Sequence, residues 1–265
     1  MNDWVPPEYS LIWAEEFDGP SGAPASPATW RQETGGHGWG NRELQYYTDG
    51  TANAALDGAS CLAIKVRHVA SALAAAHYGG CAYTSARLIS KNLVSFRYGL
   101  VAAKIKLPGG RGMWPAFWLL GENLDEVGWP RCGEIDVMEN FGTNPADVSG
   151  TVHGPGYSGA VGITGSLAAV GVGDASDASD ASASLADVFH VYSVRWEPDS
   201  IRWFVDQTMY HSVTPADLHG NPWVFDHDFF LIINVAVGGT ASVPPDESVS
   251  FPQTMLIDYV RVYTD

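Results

Sequence analysis

Positive charge is scarce in this 265-residue chain: four Lys and ten Arg stand against 30 Asp and Glu, for a formal net charge of −16. A nucleic-acid partner is therefore not expected, because phosphate binding by counterion release needs a basic surface. Anchoring on anionic lipid is disfavoured for the same reason. No apolar run approaches the roughly 18 residues of a membrane-spanning helix, so no membrane partner is expected. Cysteine is nearly absent. Cys61, Cys81 and Cys132 form no CxxC pair, which argues against a zinc framework. One disulfide with a free thiol, or three buried thiols, both remain open. The glycine-rich stretch Gly35-Gly36-His37-Gly38-Trp39-Gly40 lacks the GxGxxG order and the strand-to-helix setting of a dinucleotide fingerprint. Charged residues make up 17% of the chain, against about 25% in ordinary domains.

Aromatics and turn formers are plentiful, with 10 Trp, 11 Tyr, 10 Phe, 29 Gly and 16 Pro. That composition favours strands and turns. Short alternating runs occur at 62–67, 98–106 and 256–263. The runs 191–196 and 201–205 flank Pro198-Asp199-Ser200, the turn chemistry of a hairpin. Residues 229–237 read as a strand covered on both faces. The pattern is that of an all-β protein, a sandwich or barrel of antiparallel strands. Helical signals are few: an Ala-rich stretch at 70–76, and one capped turn from Thr214 to Gly220. Residues 160–187, with scattered glycines and an Asp-Ala-Ser tract, read as a low-complexity loop inside a single domain spanning 1–265.

The most informative segment is Gly133-Glu134-Ile135-Asp136-Val137-Met138-Glu139-Asn140. Glu134 and Asp136 share a strand face. Glu139 would point the other way in a regular strand, but one extra residue at Val137-Met138, a β-bulge, returns it to the shared face. A solvated acidic edge is the bland alternative, disfavoured by the apolar residues between the acids. Paired carboxylates on one surface suit glycoside hydrolysis, in which one acid donates a proton and the other attacks the sugar.

The run Glu-Ile-Asp-Val-Met-Glu resembles the signature of glycoside hydrolase family 16 in its bulged, laminarinase-like form. Further blocks carry the likeness: Asn41 to Thr48, Ser85 to Leu88, Gly112 to Trp118, Phe189 to Trp196, Asn234 to Gly239 and Asp258 to Tyr263. The resemblance implies a jelly-roll β-sandwich with a substrate cleft on its concave sheet, and a retaining endo-β-1,3-glucanase. It implies Glu134 as nucleophile, Asp136 as assisting acid and Glu139 as general acid/base. Glu139, beyond the bulge, is the expected carrier of a raised pKa. Trp114, Trp118 and Trp129 resemble sugar platforms, with core packing as the alternative. Asn41 and Arg87 resemble hydroxyl-binding positions, with Trp39 a weaker candidate. His153 resembles a histidine close to the acid/base.

No catalytic cofactor is implied. A structural Ca2+ is, through the backbone carbonyls of Glu16 and Gly58 and the carboxylate of Asp258, an oxygen-only set that calcium accepts. The implied partner is a β-glucan polysaccharide, met by a monomer. Export from the cell is expected, although the chain begins Met1-Asn2-Asp3-Trp4 without a basic stretch and apolar core. Two rivals remain: a non-catalytic glucan-recognition module, and a hydrolase of agar, carrageenan or mixed-linkage glucan.

Overall fold

Alternation builds the architecture. In Leu62–Leu73 the side chains of Leu62, Ile64 and Val66 are fully buried while Lys65 and Arg67 turn outward. Each such apolar side chain contributes about 1.5–3 kcal/mol when removed from water. The computed structural model describes residues 5–73, 80–168, 185–186 and 188–265. Within them two sheets pack face to face as a jelly-roll sandwich. One runs Thr208–Val213, Ser200–Val205, His190–Glu197, Gly99–Lys106, Gln253–Thr264, Leu62–Leu73, Cys81–Ser85, Gln45–Tyr47. The other runs Ile163–Ala168, Asn144–His153, Glu134–Phe141, Met113–Gly121, Phe229–Val237, Arg87–Ile89, Arg31–Gln32. Trp196, Trp203, Tyr192, Phe117 and Phe229 fill the space between them.

The expected hairpin forms, with Glu197 opposite Ser200 across the Pro198-Asp199 loop. The Thr214 capping box closes a short 3-10 turn over Pro215–Leu218, as its sequence predicts. Phe229–Val237 is buried along its whole length. All three cysteines are free and buried, so the thiol alternative is the one observed.

Three expectations need correction. The sheets are not wholly antiparallel, because Gln45–Tyr47 pairs in parallel with Cys81–Ser85. The Ala-rich stretch is not helical where it is described, since residues 70–73 extend the strand Leu62–Leu73; 74–79 lie outside the described residues. The presumed loop at 160–187 contains the strand Ile163–Ala168, paired with Asn144–His153 from Val152↔Ile163 to Asp147↔Ala168. Two of its glycines serve close packing. A Cβ at Gly165 would fall 2.3 Å from the His211 ring, and one at Gly162 2.4 Å from the His153 ring. Residues 169–184 and 187 of that segment lie outside the described residues.

The strand Glu134–Phe141 carries the predicted irregularity. Phe117 lies opposite Met138, and its neighbour Trp118 opposite Asp136, so Val137 has no counterpart. On the other side Asp136 faces Thr151 while Glu139 faces Ser149. Trp203, from the opposing sheet, donates its indole N–H to the Asp136 carbonyl at 2.7 Å. The core thus grips the chain immediately before the unmatched residue.

Candidate active site

The bulge sorts side chains by chemistry. Ile135, Val137 and Met138 all enter the core, and Glu134, Asp136 and Glu139 all line a cleft on the other face of the sheet. The cleft has a volume of about 670 Å3 and runs from Trp39 and Arg87, past the three acids, to Gly159 and Thr164. Its floor is Trp114, Ala116 and Trp118 from one strand and Asn234 and Ala236 from the next.

Indole N–H groups hold the two glutamates. Trp129 donates to Glu134 Oε2 at 2.7 Å, and Trp114 donates to Glu139 Oε1 at 2.9 Å. Each bond occupies one carboxylate oxygen and leaves the other, Glu134 Oε1 and Glu139 Oε2, for chemistry. Trp114 is therefore a largely buried orienting group, whereas Trp129, half exposed, also presents its ring to the cleft. Trp118 bonds Asn234 Oδ1 at 2.8 Å. The Arg87 guanidinium lies between two rings, 4.7 Å from the centroid of Trp118 and 4.8 Å from that of Trp39. Arg87 is fixed and neutralised by Glu33 at 2.6 Å. The glycine-rich loop holds Trp39 through a bond from its indole to the Gly35 carbonyl.

His153 lies among the acids and lowers the proton affinity of Glu139. It stands opposite Glu134 in the ladder, with Nε2 3.2 Å from Asp136 Oδ2 and 3.9 Å from Glu134 Oε1. Its partners are the nucleophile candidate and the assisting acid, because the bulge carries Glu139 along the strand to Ser149 instead.

The proton affinities differ from the simple forecast. Burial, then the neighbouring Asp136, pushes Glu134 up to about 8. Asp136 is held well above the usual carboxylate range by burial and by Glu139. Glu139 is raised by burial, a rise opposed by the Trp114 hydrogen bond and by His153. The elevation is thus shared by all three acids, since all three lose water together.

Sequence reasoning missed the wall beyond Asn41. Glu43 is buried and accepts from Gln45 Nε2 at 2.6 Å, Asn41 Nδ2 at 3.2 Å and the Tyr47 hydroxyl at 3.3 Å. Asn234 donates to that hydroxyl at 3.1 Å and accepts from Trp118. A continuous chain of bonds therefore ties the Trp118 platform to Glu43. The visible cue was Asn234, a lone amide in the otherwise apolar run Phe229–Val237.

The residues named for calcium lie away from the cleft. Glu16 spends its carboxylate on Arg261 at 2.8 and 2.9 Å. Asp258 holds Lys104 Nζ at 2.6 Å through Oδ2. Gly58, at φ +84°, sits in a turn that Asp57 closes by accepting the N–H groups of Ala59 and Cys61. Backbone carbonyls and a carboxylate oxygen are donors of the kind a hard cation takes, although the Asp258 and Glu16 carboxylates each already face a cationic side chain.

The model for the family described as glycosyl hydrolases family 16 matches residues 37–260. A β-glucanase of Rhodothermus marinus is 40% identical over 268 residues, spanning 97% of this chain and 86% of that protein. The endo-β-1,3-glucanase of Pyrococcus furiosus superposes with a TM-score of 0.86 at 42% identity, covering 97% of this chain and 94% of that one. The laminarinase catalytic domain of Thermotoga maritima MSB8 gives 0.85 at 42% identity, covering 97% and 99%.

The raised affinity of Glu134 sets a stability prediction. A carboxyl that holds its proton more tightly when folded stabilises the fold at low pH. That contribution is lost as pH climbs from the unfolded value of 4.5 towards about 8. Glu134→Gln removes this loss and is expected to gain about 2–5 kcal/mol at about pH 9, with the gap closing near pH 5. Thermal melts across that range check it; a variant no more stable than its parent at the alkaline end contradicts it.

Proposed function

The chain belongs to glycosyl hydrolases family 16, and from that premise we propose that it is a retaining endo-β-1,3-glucanase acting on laminarin-like glucans. The observation that supports this most is the Val137 bulge, which turns Glu134 and Glu139 onto one cleft wall. Glu134 Oε1 attacks the anomeric carbon while Glu139 passes its proton to the departing glycosidic oxygen. A glycosyl ester forms on Glu134 as the glycosidic bond breaks. Glu139, now ionised, takes a proton from water, and that water's oxygen displaces Glu134 from the sugar. Asp136 raises the proton affinity of Glu134, a rise that His153 opposes, and stands ready to share a proton when the ester leaves.

Endo action suits a cleft whose lining continues on both sides of the acids, from Arg87 to Thr164. A neutral polymer suits it as well. Among the described residues lining the cleft, Arg87 is the one Lys or Arg, and Glu33 already cancels its charge. A sulfated galactan would leave its anionic groups without cations. The lining is complete within one chain, so a monomer suffices. Calcium, held by the carbonyls of Glu16 and Gly58 and by Asp258, would stabilise the sheet remote from the cleft.

Glu134→Gln and Glu139→Gln are each expected to lower kcat on laminarin by about 10²–10⁴-fold while remaining folded. Full activity in either variant overturns the assignment. Parallel digests of laminarin, curdlan, lichenan and agarose should release oligosaccharides from laminarin fastest; preference for agarose contradicts the substrate. For the calcium site, millimolar CaCl2 should raise Tm and a chelator lower it, and a Tm indifferent to both removes the ion from the account.

A further inference from the structure

Glu134, Asp136 and His153 do more than prepare a nucleophile. Their ligating atoms lie within 4.8 Å of one another, the one such trio of His, Cys, Asp and Glu side chains among the described residues. The spacing within the trio is the relevant quantity. His153 Nε2 is 3.2 Å from Asp136 Oδ2 and 3.9 Å from Glu134 Oε1. A tetrahedral ion with bonds of about 2.0–2.1 Å spaces its ligands about 3.3 Å apart. Paired strands already hold His153 and Asp136 near that spacing and Glu134 somewhat farther out, with Glu134 directly opposite His153 and Asp136 opposite Thr151.

An independent feature points to an occupant. Asp136 is 4% exposed, and its Oδ2 receives no hydrogen bond. His153 Nε2 stands near it without the alignment of one. That oxygen stands 3.2 Å from His153 Nε2 as a buried acceptor without an aligned N–H donor, which is costly unless a cation, or a proton shared with Glu134, fills the space. Glu134 Oε1 is likewise the oxygen left over once Trp129 has taken Oε2.

We propose that Glu134, Asp136 and His153 form a chelating site for a borderline divalent transition-metal ion, represented by Zn2+, which blocks the cleft by covering the nucleophilic oxygen. Two carboxylate oxygens and one imidazole nitrogen make a three-ligand set, with the fourth position open to water in the cleft. Hard ions fit poorly, since Ca2+ seeks six to eight oxygens and Mg2+ an octahedral set of them. His153 Nδ1 is buried without an acceptor. The usual second bond that orients a ligating imidazole is therefore missing, and affinity is about 10–100-fold below that of a supported site. The ion is thus a reversible inhibitor. Other acid–histidine contacts, His190 with Asp206 and His227 with Asp226, offer two donors only.

Calorimetric titration of the intact protein with ZnCl2, without substrate, reads the site independently of any hydrolytic activity. One ion per chain is expected, with MgCl2 and CaCl2 failing to displace it. His153→Asn should weaken binding at least about tenfold, having lost one of three ligands. Glu134→Gln should do the same and covers the case in which the histidine variant does not fold. Anomalous diffraction at the zinc edge should place the ion about 2.0–2.2 Å from all three atoms. No binding, binding indifferent to both substitutions, or an ion located elsewhere overturns the proposal. Because none of these readouts uses a glucan, a failure here is distinguishable from a failure of the glucanase reading.

Discussion

One unmatched residue organises the molecule. Val137 has no partner on the neighbouring strand, and from that surplus follow both the core and the cleft. Val137 and Met138 point inward in succession, which a regular strand forbids, and Glu139 is returned to the face that already carries Glu134 and Asp136. The kink is not left to the strand's own preferences. Trp203 reaches across the sandwich to bond the Asp136 carbonyl, so the position of the acids is coupled to the packing of both sheets.

Crowding three acids into a partly dry cleft opposes folding, and the structure answers it unevenly. Indole N–H groups satisfy one oxygen each on Glu134 and Glu139. Asp136 Oδ2 receives no such bond. Burial raises the proton affinity of all three, and neighbouring acids add to the rise at Glu134 and Asp136. A large apolar core, continuous from Leu62 and Ile64 through Phe117 to Trp196 and Trp203, makes the strain tolerable. The same arrangement that leaves Glu134 Oε1 free to attack a sugar leaves it free to bind a metal ion.

Much of this was legible in the residues. Strand alternation, the Pro198-Asp199 hairpin, the Thr214 cap and the bulge itself are local patterns, and local patterns are written in order along the chain. What escaped was set by contact between distant segments. Gly162 and Gly165 looked like loop punctuation because the rings of His153 and His211 that require them are not adjacent in sequence. Ala70 lies on a long strand because its neighbours pair, against its own helical leaning. The tryptophans were recognisable as cleft candidates through the family resemblance, but which ones donate an indole N–H to an acid cannot be read from spacing. Glu43 was hidden for a similar reason: its partners come from Asn41, Gln45 and Tyr47 nearby, but their link to Trp118 runs through Asn234, nearly the whole chain away.

The central claim is that the bulge leaves Glu134, rather than either of its acidic neighbours, facing the anomeric carbon. A laminaribiosyl fluoride carrying fluorine at the 2-position of the reacting sugar forms its ester quickly and loses it slowly, so the residue that attacks stays labelled. Peptide mass spectrometry of the trapped protein should find the sugar on Glu134. A label on Asp136 or Glu139, or none in a preparation that turns over glucan, would contradict the account.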